Sequence, residues 1–289
     1  PTVNTQVGDI RRIPVLNGIE TKQNTIKELV QTNIDIKKWL NSFYLYEIEY
    51  SESPLVKFKD SKCSEFFNLE NHLLTQILVN EAIIDDKVFE IFELNGSDRE
   101  MVLSKEGESI GGLPLLPEAR DAYLSEAEAT EEFTLDGIRD FIESLPTKDF
   151  TVEELESIKS GFPSLYQSNN DLEEFCIRHQ INPINVWYWF KQSNVIPKQR
   201  MHTFAMEFLV DLVREILMED EDGIIPLVSN AGEKILMDRI EEKFNEKGFS
   251  SSQYSNFDSV LGRPIPEYLN NHFFTEFSDH LNLFMYLPK

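Results

Sequence analysis

The chain has 289 residues and is strongly acidic: 51 aspartate and glutamate residues stand against 27 lysine and arginine residues, for a formal net charge of −24. With 41% hydrophobic residues, it is long enough to bury the core of one or two domains. This charge argues against a general nucleic-acid-binding surface, because neutralising phosphates requires clustered lysine and arginine.

The cysteines and the hydropathy pattern indicate where the chain resides. Cys63 and Cys176 are isolated thiols without C-x-x-C spacing, which predicts a reducing compartment and neither a disulfide framework nor a zinc site. No apolar run approaches the roughly 18 residues of a membrane span, and no signal peptide is visible. We therefore expect a soluble, cytoplasmic chain without membrane contact.

In the first half of the chain, residues 1–14 favour a short extended segment. An amphipathic helix is predicted over residues 20–40 and a second helical region over residues 66–93, each from apolar residues at helical spacing. Residues 95–130 contain Gly111-Gly112 and two prolines, which predict a loop or linker and then a short acidic helix. Helices are also predicted over residues 134–145 and 151–159, the second with a capping box formed by Thr151 and Glu154.

In the second half, the helix that starts near residue 170 is expected to stop at Asn182-Pro183, before the aromatic run at residues 186–190. Residues 204–218 are apolar around most of a helix, which predicts a buried helix at the centre of this region. Further helices are predicted over residues 235–244 and 268–286. The fold class is thus mainly α with few or no strands, divided into residues 1–94, a 95–130 linker and a helical domain at 131–289.

Motifs that could carry chemistry are weak in this chain. Asn182-Pro183-Ile184-Asn185 lacks the second proline and the aromatic residue of an adenine methyltransferase motif, and Gly111-Gly112 lacks a preceding strand. His272 and His280 with Asp279 or Glu276 form a poor metal set, because a zinc helix places histidines four residues apart. Cys176 and His179 lack a group that would orient them as a nucleophilic pair. We expect no catalytic, cofactor-binding or metal-binding residue.

Basic residues at two places are candidates for contacts with DNA phosphates. Lys191, Lys198 and Arg200 flank the aromatic run, an arrangement of rings and cations that single-strand binders use. Arg11 and Arg12 lie in residues 1–40, which hold 6 basic and 4 acidic residues, whereas residues 81–160 hold 22 acidic and 7 basic residues. The acidic region is either a solvated face or a surface that resembles DNA or attracts a partner.

Two stretches resemble a known family. Residues 1–14, PTVNTQVGDIRRIP, and residues 261–269, LGRPIPEYL, followed by Phe273-Phe274 and His280-Leu281, are similar to patterns in phage-exclusion (BREX, PglX-like) and related restriction-modification adenine-specific DNA methyltransferases. The first pattern in that family joins the target-recognition part to the C-terminal region. The resemblance implies a helical fragment whose catalytic part lies upstream.

The resemblance also implies partners and a cofactor. The parent protein would use S-adenosylmethionine to methylate adenine N6 in double-stranded DNA, whereas the fragment would bind no cofactor and serve as a scaffold or interaction region. Its partners would be the upstream methyltransferase and recognition domains and other defence-system proteins. Two alternatives remain open: a free-standing acidic interaction module or DNA mimic, and an independent hydrolase or nuclease that gathers His, Asp and Glu around a metal.

Overall fold

The computed structural model of the chain describes residues 23–59, 63–129, 137–165, 172–228 and 232–281. Its first half contains α1 Gln23–Asn41, α2 Pro54–Lys57, α3 Ser64–Ile91, α4 Gly96–Glu106, a 3₁₀ turn at Ile110–Gly112, α5 Pro117–Ala129, α6 Ile138–Ser144 and α7 Val152–Ser160. Its second half contains α8 Phe162–Leu165, α9 Leu172–His179, α10 Pro183–Ser193, α11 Lys198–Glu219, α12 Leu236–Glu246, α13 Ser251–Leu261, α14 Ile265–Asn271 and α15 Phe273–His280.

The mainly α fold class is confirmed. Leu115 and Thr147 form an isolated parallel bridge, and no residue in the described ranges belongs to a strand. The extended segment predicted at residues 1–14 lies outside the described residues. No helix in the described part of the chain combines the length and the apolar character needed to cross a membrane.

The long helix α3 lies at the centre of the N-terminal core. It packs against α1, the 3₁₀ turn and α10. Aromatic and aliphatic side chains fill the space between these elements, including Ile36, Phe66, Leu73, Cys176, Trp189 and Phe204. A second cluster packs α5 and α6 against α3 and α10, through Val79, Leu115, Tyr123, Ile142 and Trp187. Elements distant in sequence therefore share one interior.

The helix α11 forms the centre of the C-terminal core, as the apolar pattern of residues 204–218 predicts. Leu209 and Leu212 are fully buried, and α12, α13 and α14 cover this part of the helix with Ile240, Phe244, Phe257, Leu261 and Tyr268. Phe204, which lies nearer the start of α11, belongs instead to the N-terminal core. One continuous helix thus contributes side chains to both cores.

Residues 95–130 differ in part from the prediction, because α4 and the 3₁₀ turn occupy the expected loop or linker. The short acidic helix expected after the loop is present as α5. The Asn95 side chain accepts a hydrogen bond from the Asp98 amide at 3.0 Å, which caps the start of α4. Burial of Ala119 and Tyr123 fixes α5 against the core. The prolines fit because Pro117 occupies the first position of α5, where no amide hydrogen bond is lost. The three-part domain division itself stays a prediction.

The glycine pair in this region has a packing role. A Cβ atom on Gly111 would lie 2.3 Å from the Leu78 carbonyl oxygen, so only glycine permits this approach of the turn to α3. Nothing lies within 4 Å of a Cβ atom built on Gly112. The pair is therefore explained by helix packing, and one of its two members carries that role.

Candidate functional site

Tyrosines from the connection between α1 and α2 lie along the polar side of α11, and we call this surface the tyrosine seam. Tyr44 Oη donates to Glu70 Oε1 at 2.7 Å, and Tyr50 Oη donates to Asp211 Oδ2 at 2.8 Å. Between them, the Tyr46 ring meets the His280 ring edge-on with centroids 5.4 Å apart. The seam consists of these three tyrosines, the carboxylates they contact, Arg200, Glu207 and His280.

An ion pair between Arg200 and Glu70 closes one end of the seam. Two guanidinium nitrogens of Arg200 contact the two Glu70 oxygens at 2.5 and 2.7 Å, and a third contact joins Arg200 to the Tyr44 hydroxyl oxygen at 2.8 Å. Burial opposes the charge of Arg200, but Glu70 and Tyr44 outweigh it and raise the pKa of the guanidinium. The guanidinium is therefore charged, and its contacts with Glu70 and Tyr44 offset the cost of its burial.

Histidine–carboxylate contacts attach the last helices to α11. His280 Nε2 lies 2.7 Å from Glu207 Oε1, and His202 Nε2 lies 2.8 Å from Glu276 Oε2. Tyr268 Oη donates to the same Glu276 oxygen at 2.7 Å. These contacts join α14 and α15 to α11 at two points, so His202 and His280 act as packing residues.

Electrostatics agree with this structural role. Burial would raise the pKa of Glu276, but the hydrogen bonds from Tyr268 and His202 prevail and lower it. The pKa of Tyr268 is raised, first by burial and then by its bond to Glu276. A general base near neutral pH requires a carboxylate with a raised pKa, so Glu276 is poorly suited to that task.

The predicted absence of a metal site can be compared with the geometry. Within the described ranges, His, Cys, Asp and Glu form no group of three that could hold a metal ion. His272 lies beside Arg263 rather than beside His280, and His280 is bound to Glu207. The histidines considered as ligands are thus separated by their packing partners.

Of the candidate DNA contacts, Arg200 is the one that the structure places in the interior. Its side chain is 7% exposed and is bound to Glu70, so in this structure its charge is not available to a phosphate. Lys191 is exposed but contacts Glu126 at 2.9 Å and lies over the Trp187 ring. Lys198 is exposed at the start of α11. Arg11 and Arg12 lie outside the described residues.

The cysteine candidate is explained by packing as well. Cys176 is fully buried in the N-terminal core, and burial raises the pKa of its thiol. Cys63 is partly buried, and burial raises its pKa to about 12. Both thiols are protonated at neutral pH, so neither is an activated nucleophile.

Asn182 has a structural role at the start of α10. Its side chain caps α10 by accepting from the Ile184 amide at 2.9 Å, and it donates to the Gly111 and Leu113 carbonyl oxygens. Pro183 then begins α10 rather than only ending the previous helix. The Asn-Pro sequence therefore serves a helix start and a loop anchor.

A buried aromatic cluster surrounds His72. The His72 ring packs against Tyr123 and Trp187, with ring centroids 4.6 and 5.8 Å apart. His72 Nδ1 and Trp187 Nε1 are buried without a hydrogen-bond partner in the described structure. Burial lowers the pKa of His72 to about 4, so the ring is neutral. The apolar pattern of α3 does not predict the burial of His72, because polar residues occupy much of the buried face of this helix.

The contacts around the seam and the histidines thus use their charges and hydroxyl groups to join helices. In comparisons with known proteins, no family model, no curated protein and no solved structure matches the chain.

Proposed function

We propose that this chain is a non-catalytic helical region of an S-adenosylmethionine-dependent adenine-N6 DNA methyltransferase from a restriction-modification or phage-exclusion system. The proposal rests on the resemblance to that family at both ends of the chain, about residues 1–14 and 225–289, with the LGRPIPEYL pattern in the second of these ranges. The observation that supports the scaffold role is that residues of the second pattern end a helix or pack in the C-terminal core. Gly262 ends α13 in a left-handed conformation with φ 75°, and Ile265 and Tyr268 are buried against α11.

These packing roles explain why such a pattern serves a scaffold. A glycine at the helix end permits the left-handed turn, and the following Pro264 and Ile265 begin α14 at once. Tyr268 then places its hydroxyl group on Glu276, which also meets His202 on α11. Each named residue of the pattern fixes the corner between α13 and α14 or the attachment of α15.

Calorimetry on the purified chain tests the first part of the proposal. We expect no heat of binding with S-adenosylmethionine and no methyl transfer to adenine-containing duplex DNA, because the glycine-rich cofactor turn and the Asn-Pro-Pro-aromatic motif are missing. Micromolar cofactor binding would show that the chain itself forms a methyltransferase site and would refute the scaffold role.

The genomic reading frame around these residues tests the second part. An upstream segment in the same frame with an Asn-Pro-Pro-Tyr-type motif and a glycine-rich turn supports a methyltransferase parent. A frame that encodes these 289 residues alone favours the acidic interaction module. In the first case, Tyr268→Ala in the full-length protein should reduce methylation only as far as it reduces the amount of folded protein.

A further inference from the structure

The groove between the C-terminal half of α3, α4 and α6 has the properties of a docking surface. It encloses about 380 Å³, and we call it the α3–α4 groove. Its floor is apolar and is formed by Ala82, Phe89, Val102, Leu103 and Phe141. This volume lies near the lower end of the range for ligand-binding pockets, so it accommodates a few apolar side chains.

The helix that forms one wall is incompletely packed. Although α4 has 11 residues, none of them is buried, and Met101 on the same helix is 54% exposed. A surface helix normally buries an apolar stripe against its neighbours. Val102 and Leu103 are only half-buried, so α4 retains apolar surface that a further element could cover.

Carboxylates surround this apolar floor. Asp85, Asp86, Glu106 and Glu108 line the groove, and residues 85–108 together contain eight acidic and three basic residues. Arg99 is the one cation among the described lining residues, and it is bound to Asp86 at 3.1 Å while its guanidinium lies 5.5 Å from the Phe89 ring centre. Arg99 therefore holds α4 on α3. The charges of the other three lining carboxylates are not neutralised by a lining cation.

Asp85 is a carboxylate of this rim whose charge is partly desolvated. Its carboxylate faces the groove and interacts with Ser109, and burial raises its pKa. No ion pair joins Asp85 to a cation in the described residues. A positive charge placed there from outside would relieve the cost of partial desolvation.

From the apolar floor and the acidic rim, we propose that the α3–α4 groove binds an amphipathic helix of a partner protein that carries lysine or arginine beside its apolar face. The apolar side chains of such a helix would fill the floor, and its cations would meet Asp85, Glu106 and Glu108. Helix-in-groove recognition uses this division between apolar anchors and charged rim. The inference holds whether or not the parent protein is a methyltransferase.

A model peptide tests this inference without knowledge of the natural partner. The probe is a labelled 18-residue amphipathic helix of leucine and lysine, with a leucine–glutamate helix of the same spacing and a scrambled leucine–lysine peptide as controls. Fluorescence anisotropy with the full chain should detect binding of the first peptide alone. Equal binding of the scrambled peptide, or no binding of the amphipathic leucine–lysine helix, overturns the proposal.

Matched variants locate the binding site. Asp85→Asn with Glu108→Gln should weaken binding about tenfold, as two lost charge contacts of moderate strength imply. The control, Glu153→Gln with Glu156→Gln, removes the same net charge from exposed positions on α7, outside the groove, and should change affinity less than about twofold. Equal losses in both variants would show attraction to the overall charge and would refute a specific groove.

Discussion

Arg200 and Glu70 lie 130 positions apart in the sequence and form a doubly bonded ion pair in the interior, with contacts of 2.5 and 2.7 Å. The guanidinium also lies over the rings of Phe67 and Phe204, 5.1 and 5.4 Å from their centres. Through this pair the start of α11 is held on α3. The residue that the sequence offered as a DNA contact is therefore part of the interior.

Removing one member of this pair should be strongly destabilising. Arg200→Met leaves the Glu70 charge buried and should lower the free energy of unfolding by roughly 3–5 kcal/mol, measured by urea denaturation. Adding Glu70→Leu to the same chain should recover part of that loss. The control, Arg178→Ala, breaks an exposed pair with Glu174 and should cost less than about 1 kcal/mol. A small effect of Arg200→Met would mean that the pair is solvated.

The centre of α11 should be sensitive to loss of volume. Leu209→Ala and Leu212→Ala should each lower the free energy of unfolding by roughly 2–5 kcal/mol, because both side chains are fully buried and each truncation leaves a cavity. Met218→Ala near the end of the same helix is the control, since Met218 is 79% exposed and the change should stay within about 0.5 kcal/mol. Similar values for all three variants would contradict the central position of α11.

The two adjacent glycines of the 3₁₀ turn should respond differently to alanine. Gly111→Ala forces a methyl group against the α3 backbone and should cost roughly 1–3 kcal/mol, whereas Gly112→Ala meets open space and should be nearly neutral. Thermal unfolding of both variants under one buffer condition measures the difference. If both variants keep the wild-type midpoint, the turn does not pack on Leu78 as described.

His72 should make stability depend on pH. Its pKa is about 4 in the folded state and 6.5 ordinarily, so between these values the unfolded chain binds the additional proton. The contribution of neutral His72 to the free energy of unfolding is therefore complete above pH 6.5. It is lost as the pH falls toward 4, by roughly 3 kcal/mol in total. We expect His72→Phe to flatten the urea-derived stability curve over this window. An unchanged slope would show that His72 titrates normally.

Binding to duplex DNA should be weak for the chain alone. The net charge of −24 opposes the approach of phosphates at physiological salt, and Lys191 is already bound to Glu126. In the full-length protein, Arg11→Ala with Arg12→Ala should reduce affinity equally for matched and mismatched sites, measured by fluorescence anisotropy at several salt concentrations. A change of sequence preference would show that these arginines contact bases.

Features with local causes could be predicted from the sequence. The Thr151 hydroxyl oxygen accepts from the Glu154 amide at 3.2 Å, and the Glu154 carboxylate accepts from the Thr151 amide at 2.8 Å, which confirms the capping box. The helix predicted at residues 204–218 is likewise confirmed within α11, and its buried part ends at Ile216, since Leu217 and Met218 are exposed. In both cases the information lies within a few turns of helix.

Features that depend on distant partners could not be predicted in this way. Arg200 stands among exposed basic residues in sequence, and nothing nearby indicates that Glu70 will meet it. The apolar pattern does not predict α4, because this helix buries no residue and has no clear apolar period; Asn95 followed by Asp98 is its one helix-start signal. The seam likewise depends on a connection and a helix about 160 residues apart, as Tyr50 and Asp211 show.

The shared helix α11 has a thermodynamic consequence. Its first turns complete the N-terminal core and its remaining turns complete the C-terminal core, so neither core can lose its part of the helix without fraying the other. Such sharing favours a single cooperative unfolding transition over two separate ones. A ligand that binds one core would then protect amides in the other from hydrogen exchange, and the two ends of the molecule would be energetically linked without any change of shape.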